Sequence, residues 1–421
     1  MENDGMENGK WLQNDPGGQF QALCHSKFLH SQFFHPFPSK LDSPVSFKFR
    51  ELPIAIALLA ICVFFALKEP AFLGARNLSM LVTELSITAT LAMGMLLILL
   101  PGHIDLSVGS GVGLLGGIAS VLVFHHHLPA LAALGLGLLC GVLIWMAMGA
   151  FIVRERMPSF IVTLGALLIF KGLFWLVIDN ATVPVAPGGQ SNLYSLLTTY
   201  YLPTPIGWML AAVLVGALLF TTLTARRRRL EHGFAVDSKE MTFLRLFITA
   251  QAIALFVLVT GQFRGIPLPS LILGGVTLIV YAITQHTRLG RHLYAIGGNT
   301  EAAFVSGVPM KSTVIAAYSG MGAIVAITGF MQTAYAGSSS TTVGDLMELD
   351  AVAACVIGGV SLRGGRGTVL GVLLGALIIA CLLNGMTLMS VPPERKFIAR
   401  GVVLILAVWM DMRLGRKSAS H

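Results

Sequence analysis

The chain is 421 residues long and only 11% of it is charged, against about 25% in an ordinary soluble domain. Apolar residues supply 55%, glycine adds 46 more and mean hydropathy is +0.78. The 28 bases and 20 acids cannot clothe a soluble fold of this size, and disorder is excluded because it requires low hydrophobicity. What remains is an all-α integral membrane protein, its net charge of +8 assigned to cytoplasmic loops rather than to nucleic acid.

In chain order, residues 1–47 are polar, carry Pro16, Pro36 and Pro38, and hold no apolar run beside a basic start. They read as a disordered cytoplasmic tail, not a signal peptide. Apolar runs then follow at 52–67, 80–100, 108–124, 128–153, 160–178, 206–224, 244–260, 268–287, 314–335, 351–360, 368–390 and 397–412. A full crossing needs about 20 apolar residues, so 48–412 is expected to be a polytopic bundle of about 10–12 transmembrane helices. Residues 413–421 form a basic cytoplasmic C-terminal tail. The runs at 108–124 and 351–360 are short and dominated by small residues, including Gly109, Gly113, Gly117, Ala353, Ala354 and Gly359. Such runs suit short or broken helices that stop inside the membrane and pack closely.

Loop charge sets the orientation. With the N-terminus cytoplasmic, the inside loops and C-terminal tail hold 18 Lys and Arg, among them Arg226–Arg229, Lys239, Arg288, Arg291, Lys311, Arg363 and Arg366. The outside loops hold 5: Lys68, Arg76, Arg264, Arg395 and Lys396. This bias predicts both termini inside, and the loop 179–204, which has no Lys or Arg, outside. A weak internal echo pairs His103-Ile-Asp105-Leu before the first glycine run with Glu348-Leu-Asp350-Ala before the second. In each, an acid precedes or opens a short helix, where the dipole favours it. Duplicated transporter halves leave such traces, and chance leaves them too.

No P-loop, G-x-S-x-G, H-E-x-x-H or paired metal carboxylates occur. His125–His127 lacks partner ligands, and the five cysteines have no framework spacing, so neither a metal site nor a disulfide is expected. Ionisable residues within apolar runs are costly and hence functional candidates. Asp105 either caps a helix through the amides of Ser107 and Val108 or faces a translocation path, and both can hold. Lys171 pairs with an acid, snorkels, or contacts substrate. Ser107, Ser110, Asn384 and Thr387 offer the hydroxyls and amide a neutral polyol needs, or bridge helices. Glu84, Arg400 and Asp411 complete the set. In the loop Arg288–Ser312, Gly297-Gly298 reads as a turn, Asn299 or Thr300 as an N-cap, and Glu301–Val305 as a short helix ended by Gly307 and Pro309. By shape it is a docking element; a surface helix without a partner is the plain alternative.

Four blocks occur in order: Gly102-His-Ile-Asp105-Leu-Ser-Val-Gly-Ser110, Pro158-Ser-Phe-Ile-Val-Thr-Leu-Gly165, Tyr294-Ala-Ile-Gly-Gly-Asn299 with Glu301-Ala-Ala303 and Ser306-Gly307, and Leu349-Asp-Ala-Val-Ala-Ala354 with Ile357-Gly-Gly359. Together they resemble the membrane subunit of bacterial ABC sugar importers, the ribose/galactose/xylose permease family, over about residues 52–412. The basic insert near 225–246 and the ending Ala407–Asp411 resemble its xylose branch. The chain departs at His103, where relatives often carry Gly or Glu. The resemblance implies an ABC importer permease fold in the bacterial inner membrane, moving a sugar, in particular a pentose such as D-xylose, by alternating access. It implies a homodimer, an extracytoplasmic sugar-binding protein, and cytoplasmic ABC ATPase subunits that carry ATP and Mg²⁺, with no cofactor and no catalysis on this chain. Carried over by position, Gly297, Gly298, Asn299, Glu301, Ala302, Ala303 and Gly307 dock the ATPase, and Asp105, Ser107 and Ser110 sit at the pore. Lys171 and Asn384 join that path on the residue reading above. An ion-coupled secondary transporter using Asp105, Glu84 and Lys171 is the alternative; an intramembrane transferase would need paired carboxylates or a pyrophosphate site, and neither is found.

Overall fold

A computed structural model describes residues 52–418 other than 235 and 237, with side chains described for 54–409. The predicted N-terminal tail, 1–47, and Asp411's side chain lie outside the described residues. Every predicted apolar run is a helix: α1 (Leu52–Lys68), α2 (Ala75–Leu99), α3 (Val108–Phe124), α4 (Ala130–Glu155), α5 (Ser159–Val177), α7 (Thr204–Glu231), α8 (Lys239–Gly261), α9 (Leu268–His286), α12 (Met310–Ala336), α13 (Met347–Ile357), α14 (Val369–Leu388) and α15 (Pro393–Ser418). Three further helices, α6 (Leu193–Thr199), α10 (Arg288–Gly298) and α11 (Thr300–Val305), lie between them. Among the described residues eight helices are long and apolar enough to cross a membrane, while Ile54–Lys68 of α1 and all of α3 are shorter apolar helices. The protein is a polytopic helical membrane protein.

Some boundaries differ from the expectation. α7 continues through Arg226–Arg229, and α15 runs to Ser418, so residues 413–418 extend the last helix. The 179–204 segment is built rather than open. It holds α6, opened by a capping box in which Asn192 and Ser195 each bond the other's amide. Two antiparallel clips lie at this end of the bundle: β1 (Val183–Pro184) pairs with β4 (Ser338–Ser339), and β2 (Tyr201–Leu202) with β3 (Ile266–Pro267). The opposite end carries α10 and α11 and most of the basic loop residues.

The core sits where α2, α3, α4 and α12 pack together, and α2 and α12 are the most enclosed long helices. α7 and α8 form an outlying antiparallel pair that buries little beyond Gly207, Ala211, Val257 and Thr260. Their apolar side chains otherwise face outward, as in helices that meet lipid.

The two short runs both become helical part-way along the bundle. The chain leaves α2 at the α10 end, climbs without regular structure through 101–107, and becomes helical only at Val108. From the clip end, residues 340–346 return in the same irregular way beside α3 before α13 begins at Met347. α3 then runs toward the clips and α13 toward the α10 end, so the two helices start at the same depth and diverge. Irregular backbone at membrane depth is tolerated only where protein buries it or a cavity accepts it. Both apply here.

Candidate functional site

The cavity that accepts the second irregular segment has a volume of about 270 Å³ and is walled by α2, α12, residues 342–350, α14 and α15. Its polar groups come from widely separated parts of the chain: Glu84, Gln332, Tyr335, Asp350, Thr387 and Arg400. Glu84 Oε1 accepts from the Tyr335 hydroxyl at 3.0 Å, and Glu84 Oε2 accepts from Asn384 Nδ2 at 3.3 Å. Asn384 Oδ1 in turn accepts from Asn77 Nδ2 at 2.9 Å. Across the cavity Arg400 Nη2 lies 3.2 Å from Asp350 Oδ2, a carboxylate that is only 9% exposed. Buried acids persist when paired in this way.

Asp345 is ion-paired with Lys171, and the same ammonium donates to the carbonyl of Thr341 at 2.9 Å and stands over the ring of Trp175. α5 thereby pins the irregular segment. Immediately after it, Leu346 has φ +63°, a left-handed conformation that costs an L-residue about 1–2 kcal/mol. Strain of this kind is retained where the surroundings over-determine it, commonly at functional segments.

The sequence-predicted path residues divide between two places. Asn384 supports the cavity wall through Glu84, and Lys171 does so through Asp345. Asp105, Ser107 and Ser110 are buried at the start of α3 and do not line this cavity. Asp105 Oδ1 accepts from the Ser107 amide at 2.9 Å and from its hydroxyl at 2.6 Å, and Oδ2 accepts from Trp145 Nε1 at 2.7 Å. The sequence reading had Asp105 cap the helix through the amides of Ser107 and Val108; Ser107 is instead the N-cap residue of α3, and Asp105 holds it from just outside the helix while Trp145 takes its second oxygen. Gln332, Tyr335 and Asp345 were missed; Gln332 was visible as an amide inside an apolar run, and Asp345 as the acid Lys171 required.

A second feature lies at the α10 end. The sequence reading put Gly297-Gly298 in a turn; they are instead the last residues of α10. That helix forms because Thr287 caps it, accepting from the Gly290 amide at 3.3 Å, and because Gly290, Leu293 and Ile296 share one buried face. Asn299 ends α10 and starts α11, its side chain accepting from the Ala302 amide at 2.9 Å. Gly307 closes the turn after α11 at φ +75°. Within α11, Ala303 packs inward while Glu301, Phe304 and Val305 project, the last two being 72% and 85% exposed. With Thr300 and Met310 they line a surface groove.

α10 is fixed from beneath. Gly297 packs so closely on the Leu100 carbonyl and the Gly364–Gly365 turn that a side chain would overlap them. Tyr294 donates to the Gly367 carbonyl at 2.8 Å, and burial holds its phenol above the usual range, so it stays a donor. The α10–α11 unit therefore rests on the end of α2 and on the connection between α13 and α14, helices that wall the cavity farther along their length.

Residues 77–408 match the family model described as the permease component of the branched-chain amino acid transport system. The chain belongs to this family. Its members are transport subunits rather than enzymes. Among its permease relatives is the xylose transport system permease protein of Haemophilus influenzae, 39% identical over 363 residues, which cover 85% of this chain and 94% of that protein. The xylose transport system permease of Escherichia coli K12 is 38% identical over 367 residues, covering 86% and 91%. The ribose import permease of the same organism is 30% identical over 356 residues, covering 85% and 92%. No solved structure matches the chain.

Proposed function

We propose that this chain is the permease subunit of an ATP-binding cassette importer that carries a pentose, D-xylose, across the bacterial inner membrane. The observation that carries the substrate assignment is the gradient of likeness. Over nearly the same stretch the chain is 38–39% identical to xylose permeases and 30% identical to a ribose permease. The partners follow from that reading: two copies of this chain in lipid, both termini cytoplasmic, an extracytoplasmic sugar-binding protein, and cytoplasmic ATPase subunits holding ATP and Mg²⁺.

The geometry supplies a mechanism. The ATPase seats on the groove around Glu301, Phe304 and Val305, which Asn299 and Gly307 hold in place. Its closure on ATP pushes α11 and, with it, α10. Because Gly297 bears on Leu100 and the 364–365 turn, and Tyr294 on Gly367, the push reaches α2 and the base of α13 and α14. Energetic coupling travels through such packed contacts between rigid elements. Relative movement of these walls opens the cavity alternately to the two ends of the bundle. Asp105, Ser107 and Ser110 serve this motion by fixing the start of α3 as a rigid post beside α13.

The test is uptake of labelled xylose, ribose and galactose into proteoliposomes containing this chain, with and without its ATPase and binding protein. Uptake that needs all components and hydrolysable ATP, with xylose preferred, supports the proposal. Uptake by this chain alone on an ion gradient overturns it in favour of a secondary transporter. Glu301→Arg is expected to abolish ATP-dependent uptake while leaving membrane insertion intact; unchanged uptake would remove the docking role.

A further inference from the structure

The cavity beside Glu84 has properties that a mere passage does not need. Its volume, about 270 Å³, is at the small end of ligand pockets, which run upward from roughly 300 Å³, a size that suits one monosaccharide. Its charges are largely settled within the protein. Asp350 is paired with Arg400, and Asp345 with Lys171; among the described residues Glu84 is the acid facing the space that forms no ion pair.

Each carboxylate oxygen of Glu84 accepts one hydrogen bond from the protein, from Tyr335 and from Asn384. A carboxylate oxygen can accept two, so both retain capacity. The two protein donors also fix the carboxylate's orientation. Vicinal hydroxyls are the ligand chemistry that uses a preset pair of acceptors, and a hydrogen bond to an ionised acceptor is about twice as strong as a neutral one. Gln332 and Thr88 add further donors and acceptors, while Ala380 and Leu383 supply an apolar wall for the C–H face of a sugar ring. An anionic solute meets Glu84 unfavourably, and an apolar one leaves these polar groups unsatisfied.

We infer that this cavity is a substrate subsite for a single uncharged polyol, with Glu84 as its anchoring acceptor and Tyr335 as the group that orients Glu84. The permease itself then discriminates among substrates, in addition to whatever its partners select. The inference rests on the transport reading above. It makes the hydroxyl pattern of the solute matter inside the membrane: a site built to bond a hydroxyl rejects the analogue lacking it, because its own polar groups are left unpaired.

The experiment compares the wild-type assembled transporter with Glu84→Gln and Tyr335→Phe in proteoliposomes, measuring KM and Vmax for xylose and for its monodeoxy analogues. It is paired with equilibrium binding of labelled xylose to the permease alone in nanodiscs. The inference expects xylose to bind the isolated permease, and Glu84→Gln to weaken that binding by about tenfold, the loss of one charge-assisted bond. It also expects the preference for xylose over one particular deoxy analogue to collapse. Tyr335→Phe removes only a hydroxyl and keeps the ring, so it should show a smaller change of the same kind in a folded protein. Variants that leave both binding and analogue preference unchanged, or that lower uptake of every solute by one common factor, overturn the inference while the transport reading stands. A wild-type complex that moves no pentose overturns the transport reading, and the inference with it.

Discussion

Gly109 and Glu348 share one space: a side chain at Gly109 would fall on the carboxylate of Glu348, and beyond it on the Gly344 carbonyl. They are the second residues of α3 and α13, helices that begin at the same depth and run in opposite directions. Without a Cβ at 109, the irregular chain before α13 can lie directly on the first turn of α3, and its buried backbone is sealed by protein on that side. The other side is the polar cavity. This contact joins the starts of the two short helices and brings together in space the two segments whose sequences echo one another.

Gly109→Ala is therefore expected to destabilise the protein, by about 1–3 kcal/mol as for other overpacked sites. Thermal unfolding of the detergent-solubilised permease would read it as a lowered midpoint. Gly109→Ala combined with Glu348→Ala should recover only part of the loss, because the Gly344 carbonyl remains in the way. A single variant as stable as wild type would show that the two helix starts are not packed as described.

The two adjacent glycines at the end of α10 should behave differently. Gly297 faces the backbone of Leu100 and Gly365, whereas nothing lies within 4 Å of the position a Cβ would take on Gly298. Gly297→Ala is expected to displace α10 and to lower ATP-dependent uptake severalfold, with the ATPase subunit co-purifying less well. Gly298→Ala should match wild type in both measurements. Equal effects from the two substitutions would contradict the seating of α10.

Arg400→Ala leaves Asp350 buried without its partner, a change that costs about 3–5 kcal/mol at other buried pairs. We expect a large fall in the unfolding midpoint in detergent. Adding Asp350→Asn to Arg400→Ala removes the orphaned charge and should restore most of it. A double variant no better than the single would mean that Arg400 contributes chiefly by packing.

Leu346 provides a test of backbone strain. Asn tolerates the left-handed region several-fold better than most residues, and a β-branched side chain there is a true outlier. Leu346→Asn should preserve folded yield, whereas Leu346→Val should reduce it, as measured by the monodisperse fraction on size-exclusion chromatography. The reverse order would place Leu346 outside the left-handed region.

Asn299 caps α11 through the Ala302 amide, and loss of such a cap costs about 1 kcal/mol. Asn299→Ala should leave the unfolding midpoint of the bundle nearly unchanged, since α11 lies outside the packed core, but weaken ATPase binding by several-fold. Asn299→Asp, which keeps the accepting oxygen, should bind as wild type.

The amino-acid sequence alone determined the membrane class, the order of the apolar helices, and the shortness of the runs that became α3 and α13; it did not show that α1 is short as well. Burial in lipid demands contiguous apolar residues, and contiguity is a one-dimensional property. The short helix 300–305 was legible for the same reason, since Asn299, Gly307 and Pro309 act on neighbours in the chain. The helical state of 288–298 was not, because Gly297-Gly298 carries a local turn signal that packing against Leu100 and Gly365 overrides. Nor could the sequence show that Asp105 is tied to Trp145, or that Lys171 is paired with Asp345. Those bonds span 40 and 174 residues, and no local rule selects such partners. The cavity is the extreme case. Glu84, Tyr335, Asp350 and Arg400 acquire a common function only when separate helices and one irregular segment meet at one depth, and only the tertiary structure decides that.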